Sequence, residues 1–195
     1  MRINISDLTL SYGKDTFLKS LSLKVKGPSV IKIYGSNGAG KTSLLRAIAG
    51  VFEGDIKKGS IEIEAQQTIK LLDNTPSLID DLSVKENIQF FTKGALMAEK
   101  QQENLLVKVG MQEFQNDLVS TLSSGMKKRI EIAILIWVKP SIVCLDEPSN
   151  FLDDDGIQIV DYLIEQVFQN QGIVIYSSLG KDEEKIDCDF TVNLD

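Results

Sequence analysis

The 195-residue sequence predicts an α/β fold with a mainly parallel central sheet. Short strands built almost entirely of apolar residues, such as SVIKIYG and SIVCLDE, alternate along the chain with amphipathic helical segments. Strands of this kind are buried on both faces, and the helices between them cover the faces of a parallel sheet. A composition of 43% apolar and 25% charged residues suits one domain of this length, with or without a subdomain.

Strands and one helix are predicted for the first third of the chain. INISDLTLSYG and LSLKV show the period of two that is typical of strands, and Gly27-Pro28 marks the turn after them. The apolar strand SVIKIYG precedes the helix KTSLLRAIAG, for which Gly50 is a C-terminal cap. SIEIEAQ and TIKLL predict two more strands.

A mostly helical stretch, from about residue 77 to 138, is predicted to be an inserted subdomain. Ser83 and Glu86 form a capping box at its first helix start, and Pro140 stops its last helix. The three predicted helices start near Val84, cover about Ala95–Val109, and run from near Ser124 to Lys139.

The last part of the chain predicts two buried strands, SIVCLDE and GIVIYSS, with a helix between them. That helix is expected to bury Ile157, Val160, Ile164 and Val167 on one face. The acidic stretch Asp182–Asp195 is expected to be solvated surface.

Charge and residue usage exclude several classes of function. A net charge of -7 disfavours nucleic acid as a partner, because phosphates would be repelled. The one tight basic cluster, Lys127–Arg129, is expected to lie on a solvated helix face. The sequence contains no histidine, which excludes His-dependent catalysis and most transition-metal sites.

Cysteine usage and hydropathy indicate the cellular compartment in which the protein is expected. Cys144 and Cys188 are too few and too far apart for a disulfide framework or a zinc site. The segment MRINISDLTL lacks the apolar centre of a signal peptide, and no apolar run approaches the roughly 20 residues that span a bilayer. We therefore expect a soluble, cytoplasmic protein.

A glycine-rich loop carries the strongest functional signal. GSNGAGKT fits the P-loop pattern G-x-x-x-x-G-K-[ST], whose backbone N–H groups surround phosphates at the positive end of a helix. Lys41 is predicted to reach the β- and γ-phosphates, and the Thr42 hydroxyl to bind Mg²⁺. A chance glycine-rich turn is the alternative, but the strand before the loop and the helix after it are the context that the motif requires. The predicted nucleotide contacts are Gly35, Ser36, Asn37, Gly38, Ala39, Gly40, Lys41, Thr42 and Ser43.

Two acids follow the apolar run IVCL. Ligands of open α/β sheets bind outside the carboxyl ends of the strands. Asp146 is therefore predicted to hold Mg²⁺ through water, and Glu147 to polarise an attacking water. A pair of charges at a helix N-terminus is the alternative interpretation, which the upstream P-loop makes the weaker one.

Serines and a glycine stand at the predicted start of the third helix, in TLSSGMKKR. Such a segment is either a capped helix start or a second anion site. The order of the motifs, namely a P-loop, a helical insert, L-S-x-G at a helix start and an apolar strand ending in Asp-Glu, resembles the ATP-binding-cassette (ABC) ATPases over essentially the whole chain.

The resemblance implies a P-loop NTPase of the ABC ATPase type, with residues 1–195 as a single ATP-binding domain. Its mainly parallel central sheet would carry an antiparallel β subdomain and the inserted helical subdomain at about 77–138. ATP and Mg²⁺ are the implied ligands. Tyr12 matches the aromatic residue that stacks on adenine, although an ordinary tyrosine at a strand end is the alternative.

The resemblance also implies a head-to-tail homodimer with two ATP molecules between the subunits. LSSGM matches the signature motif LSGGQ, so Ser123, Ser124 and Gly125 would contact the γ-phosphate held by the second copy. SNFLD, which includes Asp153, matches a loop that contacts the opposite subunit.

Three positions depart from the family pattern. Asn74 stands where the family has a glutamine that contacts Mg²⁺ and the attacking water, and an amide one methylene shorter can keep part of that role. Met126 ends the signature motif in place of glutamine, and Ser124 replaces its first glycine. Leu179 stands where the family has a switch histidine, and losing one polarising group costs about 10²- to 10³-fold in rate. Slow hydrolysis is therefore predicted, with Ser177 or Ser178 as partial substitutes.

Three functions follow from this resemblance. The first is the ATPase subunit of an ABC transporter, held on the cytoplasmic face of the inner membrane by a membrane-spanning subunit. The short chain is similar to the ATP-binding subunits of cytochrome c biogenesis, which are haem exporters. The second is a soluble ABC ATPase without a transporter, and the third is a nucleotide switch that barely hydrolyses ATP.

Overall fold

The computed structural model describes six stretches of the chain, residues 1–64, 68–75, 77–92, 99–148, 154–179 and 186–195. They form two compact units. The first unit contains residues 1–73, 140–147 and 164–195, and the second contains residues 74–139 and 148–163. No helix in these six stretches is long and apolar enough to cross a membrane.

An antiparallel sheet opens the first unit. Its strands are β1 (Arg2–Tyr12), β2 (Asp15–Lys26) and β4 (Asp55–Ile63), and β1 lies between the other two. One face of β1 enters the core through residues spaced mainly two apart, as the predicted period of two requires: Ile3, Ile5, Leu8 and Leu10.

The first unit also contains a parallel sheet, as the apolar strands predicted. Its strands are β3 (Ser29–Tyr34), β5 (Ile69–Leu72), β6 (Ile142–Leu145), β7 (Ile173–Ser178) and β8 (Phe190–Asn193). They lie in the order β5-β6-β7-β3-β8, and every pairing is parallel. Helix α1 (Lys41–Ala49) packs on this sheet through Leu44, Leu45 and Ile48 and ends at the left-handed Gly50, as predicted.

Strand β8 lies within Asp182–Asp195, whose described residues are exposed or half-buried as predicted, but the strand itself was not predicted. Residues Phe190–Asn193 pair in parallel with β3, and the Asp189 carboxylate accepts a hydrogen bond of 2.8 Å from the Val30 N–H. A four-residue edge strand whose side chains are mostly exposed has no apolar run that would identify it in the sequence. Residues 180–185 lie outside the described stretches.

The second unit is mainly helical. It contains α2 (Val84–Phe91), α3 (Glu99–Lys108) and α4 (Ser124–Val138). The predicted capping box is present, since Ser83 Oγ accepts from the Glu86 N–H and Glu86 Oε2 accepts from the Ser83 N–H. The start predicted for the second helix, near Ala95, lies outside the described residues.

A further helix, α5 (Asp154–Gln169), contributes residues to both units. Val160, Ile164 and Val167 are buried as predicted, whereas Ile157 is half-buried. Ile159 and Leu163 are also buried.

The basic cluster Lys127–Arg129 corrects a prediction, because it is not simply a solvated helix face. Lys128 is only 6% exposed, with its Nζ 3.7 Å from Glu131 Oε2. Lys127 Nζ lies 2.7 Å from Asp80 Oδ1, and the Arg129 guanidinium donates to the Val109 carbonyl at 3.2 Å. Asp80 and Val109, which are distant in the sequence, hold Lys127 and Arg129, whereas the partner of Lys128 is Glu131, one turn along the same helix.

We expect one of the two cysteine thiols to react with Ellman's reagent in the folded protein. Cys144 is fully buried in β6, and burial raises the pKa of its thiol to about 12, whereas Cys188 is half-buried. The thiolate is the reactive form, so the folded protein should release one equivalent of thionitrobenzoate and the unfolded protein two. Cys188→Ser is the control that should abolish the native reaction. Fast release of two equivalents from the folded protein would contradict the buried position of Cys144.

Candidate functional site

The P-loop connects the end of β3 to the start of α1. Gly40 is the N-cap of α1 and has a left-handed φ of 96°. A Cβ at this position would lie 2.7 Å from the Phe17 ring, so only glycine fits both the conformation and the space. The Gly40 carbonyl accepts from the Leu44 N–H at 2.8 Å, so the helix begins directly at the loop. This geometry points the positive end of α1 at the loop.

The Lys41 ammonium is held over the loop. Its side chain is buried, and Nζ donates to the carbonyls of Gly35 (2.8 Å) and Ser36 (3.1 Å). Glu147 Oε1 lies 3.9 Å from the same Nζ. The Ala39 N–H donates to the Ser36 carbonyl at 3.2 Å, which closes the turn. A fixed positive charge therefore stands among the backbone groups of the loop.

Asp146 is fixed by hydroxyl groups on both carboxylate oxygens. Thr42 Oγ1 donates to Oδ2 at 2.8 Å, and Ser177 Oγ donates to Oδ1 at 2.6 Å. The Glu147 N–H in turn donates to Ser177 Oγ at 2.9 Å, and Glu147 has a positive φ of 47°. Ser177 therefore orients both acids. Its hydroxyl donates to Asp146 in this structure, and the partial substitution of Ser177 or Ser178 for the missing histidine stays a prediction.

The sheet order explains why these residues meet. Strands β6, β7 and β3 are parallel neighbours, so their carboxyl ends lie at one edge of the sheet. Asp146 follows β6, Ser178 ends β7 and Gly35 follows β3. Leu179 comes directly after β7 at the same edge, and its side chain is 42% exposed. The site is therefore built at the position where open α/β sheets bind ligands.

The donor atoms of this site fit Mg²⁺. The Thr42 hydroxyl and the Asp146 carboxylate are hard oxygen donors held 2.8 Å apart. Mg²⁺ usually binds one or two protein oxygens, several waters and the phosphates of its substrate. Among the described residues there is no group of three or more His, Cys, Asp or Glu side chains that would hold a metal by itself. The residues therefore suit an ion that arrives with phosphate oxygens.

An aromatic cluster borders the P-loop. Tyr12 is 47% exposed, and its ring centroid lies 5.4 Å from that of Phe17 and 5.2 Å from that of Phe52. The adjoining cleft has a volume of about 330 Å³. Its lining residues are Tyr12, Phe17, Asn37, Gly38, Gly40, Lys41, Thr42, Ser43 and Glu147. Tyr12 was predicted from the sequence, whereas Phe17 and Phe52 were not, because the strand and the loop that carry them have no distinctive pattern.

The signature segment lies in the second unit. Ser123 is the N-cap of α4, and its Oγ accepts from the Met126 N–H at 3.3 Å. Ser123 and Ser124 are exposed, and Gly125 is half-buried. The segment is thus a capped helix start, and its role toward a nucleotide stays a prediction. Asn74 is exposed at the beginning of the same unit, and Asp153 lies outside the described residues.

Arg46 forms an ion pair with Asp73, the residue directly before Asn74. Its guanidinium donates to Asp73 Oδ2 from Nη2 at 2.8 Å and from Nε at 3.2 Å. These bonds to Asp73 raise the pKa of Arg46 above its ordinary value. The P-loop helix and the end of β5 are thus joined by an ion pair.

Comparison with known proteins identifies the family of this chain. Residues 18–150 match the model of the ABC transporter family. The cytochrome c biogenesis ATP-binding export protein CcmA of Histophilus somni (strain 129Pt) is 32% identical over 186 residues, which cover 90% of this chain and 86% of the relative. The lantibiotic transport ATP-binding protein SrtF of Streptococcus pyogenes is 32% identical over 183 residues, which cover 90% and 79%.

A solved structure shares the whole fold. The putative ABC transporter ATP-binding protein from Pyrococcus furiosus superimposes with a TM-score of 0.84 at 25% identity, covering 100% of this chain and 98% of that chain. This likeness confirms the predicted α/β P-loop fold of the ABC ATPase type. On the family match and these relatives, the chain belongs to the ABC transporter family as an ATP-binding subunit.

Proposed function

We propose that this protein hydrolyses Mg²⁺-ATP and that two copies closing on ATP drive a membrane-spanning partner. The observation that carries the proposal is the hydroxyl network that joins the P-loop helix to both acids. Thr42 and Ser177 fix the two oxygens of Asp146, while Ser177 also fixes the backbone of Glu147. Residues 1–195 act in this proposal as one ATP-binding domain, with the second unit as its helical subdomain.

The residues divide the chemistry among them. Backbone N–H groups of the loop and Lys41 bind the phosphates, with Lys41 exchanging its two carbonyl acceptors for phosphate oxygens. Thr42 and Asp146 would hold Mg²⁺, with Asn74 as a further contact, and bound Mg²⁺ neutralises charge on the phosphates. Glu147 orients a water molecule and accepts its proton at a carboxylate oxygen. The exposed face of Tyr12 stacks on adenine.

The dimer completes each site in this proposal. Ser123, Ser124 and Gly125 would contact the nucleotide bound by the second copy, and so would Asp153. An exposed, capped start of a fifteen-residue helix supports this role, because its partial positive charge favours an anion. ATP therefore links the two copies, and its hydrolysis releases them.

Transport is the function named for both relatives, and export is named for CcmA. The similarity to CcmA supports haem export in cytochrome c maturation, and the equal identity of SrtF supports lantibiotic transport as the second candidate. In both cases the chain would lie on the cytoplasmic face of the inner membrane through its partner. The membrane-spanning subunit selects the cargo in either case.

We expect the tagged chain to co-purify from native membranes with a protein of several membrane-spanning helices. Phe90 on α2 is 60% exposed on the second unit and offers an apolar contact for that partner. Phe90→Asp should reduce the recovered partner about tenfold or more, because aromatic anchors dominate interface energies. Phe190→Asp is the matched control, since Phe190 is similarly exposed, at 56%, but lies on β8 of the first unit. Mass spectrometry of the eluate identifies the partner.

The outcomes separate the candidate functions. A haem-handling partner supports the cytochrome c branch, and a lantibiotic transporter supports the other branch. Recovery of soluble partners only, in a detergent that keeps a known transporter intact, would contradict the transporter proposal and favour the soluble ABC ATPase.

A further inference from the structure

We propose that Asp195 is a positioning residue of the P-loop, which holds the loop in its phosphate-binding shape through Ser36. This inference rests on the proposed ATP binding. The Asp195 side chain is 159 residues away in sequence, yet its Oδ1 accepts from both the Ser36 N–H (2.8 Å) and the Ser36 hydroxyl (2.7 Å). One carboxylate oxygen therefore fixes the second residue of the loop twice.

Ser36 is the residue on which the rest of the loop depends. Its carbonyl accepts from the Ala39 N–H, which closes the turn, and from Lys41 Nζ at 3.1 Å. Its two donors are both taken by Asp195. The Ser36 N–H belongs to the Gly35–Ser36 peptide, and the hydroxyl belongs to the side chain. The two bonds to Asp195 therefore fix both that peptide and the Ser36 side chain, directly before the turn that the Ala39 N–H closes.

The backbone brings Asp195 to this place. Asn193 of β8 pairs with Tyr34 of β3, and the Leu194 N–H donates to the Tyr34 carbonyl at 3.0 Å. These bonds carry the chain past the end of β3, next to the first residues of the loop. A Cβ at Gly35 would lie 3.4 Å from Asp195 Oδ1, which shows how closely the two segments approach.

The contacts of the Asp195 carboxylate favour its ionised form. Hydrogen bonds from the Ser36 backbone and then its hydroxyl, with Lys41 nearby, hold the pKa of Asp195 below its ordinary value. Asp195 is therefore ionised at neutral pH and accepts both bonds without carrying a proton. The proposed role is geometric, so an uncharged acceptor of the same shape should fill it.

Asp195→Ala and Asp195→Asn test this role. Asp195→Ala removes both acceptors, and we expect the dissociation constant of the fluorescent analogue TNP-ATP to rise about tenfold, in line with hydrogen bonds to a charged group. Asp195→Asn keeps an amide oxygen in place of Oδ1 and should bind within about threefold of the unaltered protein. KM for ATP should rise in Asp195→Ala while kcat stays within about twofold, because Asp146, Glu147 and Ser177 are untouched.

Asp189→Ala is the matched control for the stability of the sheet edge. The Asp189 carboxylate accepts from the Val30 N–H at the other end of the same β3–β8 pair. This variant should lower the melting temperature about as much as Asp195→Ala and leave TNP-ATP binding unchanged. Equal loss of binding in both variants would assign the effect of Asp195 to the sheet and overturn the proposal.

Ser36→Ala keeps β8 intact and therefore tests the contact even if Asp195→Ala does not fold. It should raise the dissociation constant about threefold, and adding Asp195→Ala to it should cost less than the sum of the two single effects. Additive effects of Ser36→Ala and Asp195→Ala would overturn the proposal. Tighter TNP-ATP binding in both Asp195→Ala and Asp195→Asn would also overturn it, because the loss of negative charge would then explain the change. If the unaltered protein itself does not bind TNP-ATP, the proposed function fails instead.

Discussion

Replacing Glu147 by glutamine is expected to reduce ATP hydrolysis by more than about 100-fold while leaving nucleotide binding intact. Glutamine has the shape of glutamate but no oxygen basic enough to accept a proton from water. The Glu147 side chain faces the site, with Oε1 3.9 Å from Lys41 Nζ, and its backbone is fixed by Ser177. Phosphate release at saturating Mg²⁺-ATP measures the rate, and TNP-ATP titration measures the binding.

The same variant tests the proposed dimer. If two copies close on ATP and hydrolysis separates them, Glu147→Gln should accumulate as a dimer in ATP during size-exclusion chromatography and remain a monomer without nucleotide. Glu165→Gln is the control, since this exposed glutamate of α5 takes no part in the hydroxyl network and should hydrolyse ATP at the normal rate. Retention of more than a tenth of the normal turnover by Glu147→Gln would remove Glu147 from the proposed role of base.

Local sequence signals were sufficient for the elements that carry the P-loop. The apolar run before Gly35, the helix after Gly40 and the cap at Gly50 all depend on neighbouring residues, and the structure places each as predicted. The capping box at Ser83 is local in the same sense. Such features depend on the propensities and hydrogen bonds of residues that are close together in the sequence, so a local pattern is enough to predict them.

Contacts between distant residues had no such signal. Ser177 is 31 residues from Asp146, and its dual role depends on the register of β6 against β7. Asp195 reaches Ser36 only because β8 adds to the edge of the sheet beside β3. Serine at a strand end and aspartate in an acidic tail are common in solvated positions, so residue type alone could not distinguish these roles.

Replacing Leu179 by histidine is expected to raise the rate of ATP hydrolysis by about 10- to 100-fold. Leu179 follows β7, between the strands that end at the P-loop and at Asp146, and its side chain is 42% exposed. Leucine cannot donate a hydrogen bond to a phosphate oxygen or orient water. Removing one polarising group from a site of this kind costs about 10²- to 10³-fold, and restoring it among unadapted neighbours should recover part of that factor.

Leu179→Phe is the control for this variant, because it changes bulk without adding a hydrogen-bonding group and should leave the rate unchanged. Combining Leu179→His with Glu147→Gln should abolish the gain, since the new imidazole would align a water that Glu147 must still deprotonate. An unchanged rate in Leu179→His would show that this loop is aligned wrongly with the family pattern. A gain in turnover together with long-lived ATP-bound dimers of the unaltered protein would instead support the slow nucleotide switch, because the missing side chain would then set how long the closed state lasts.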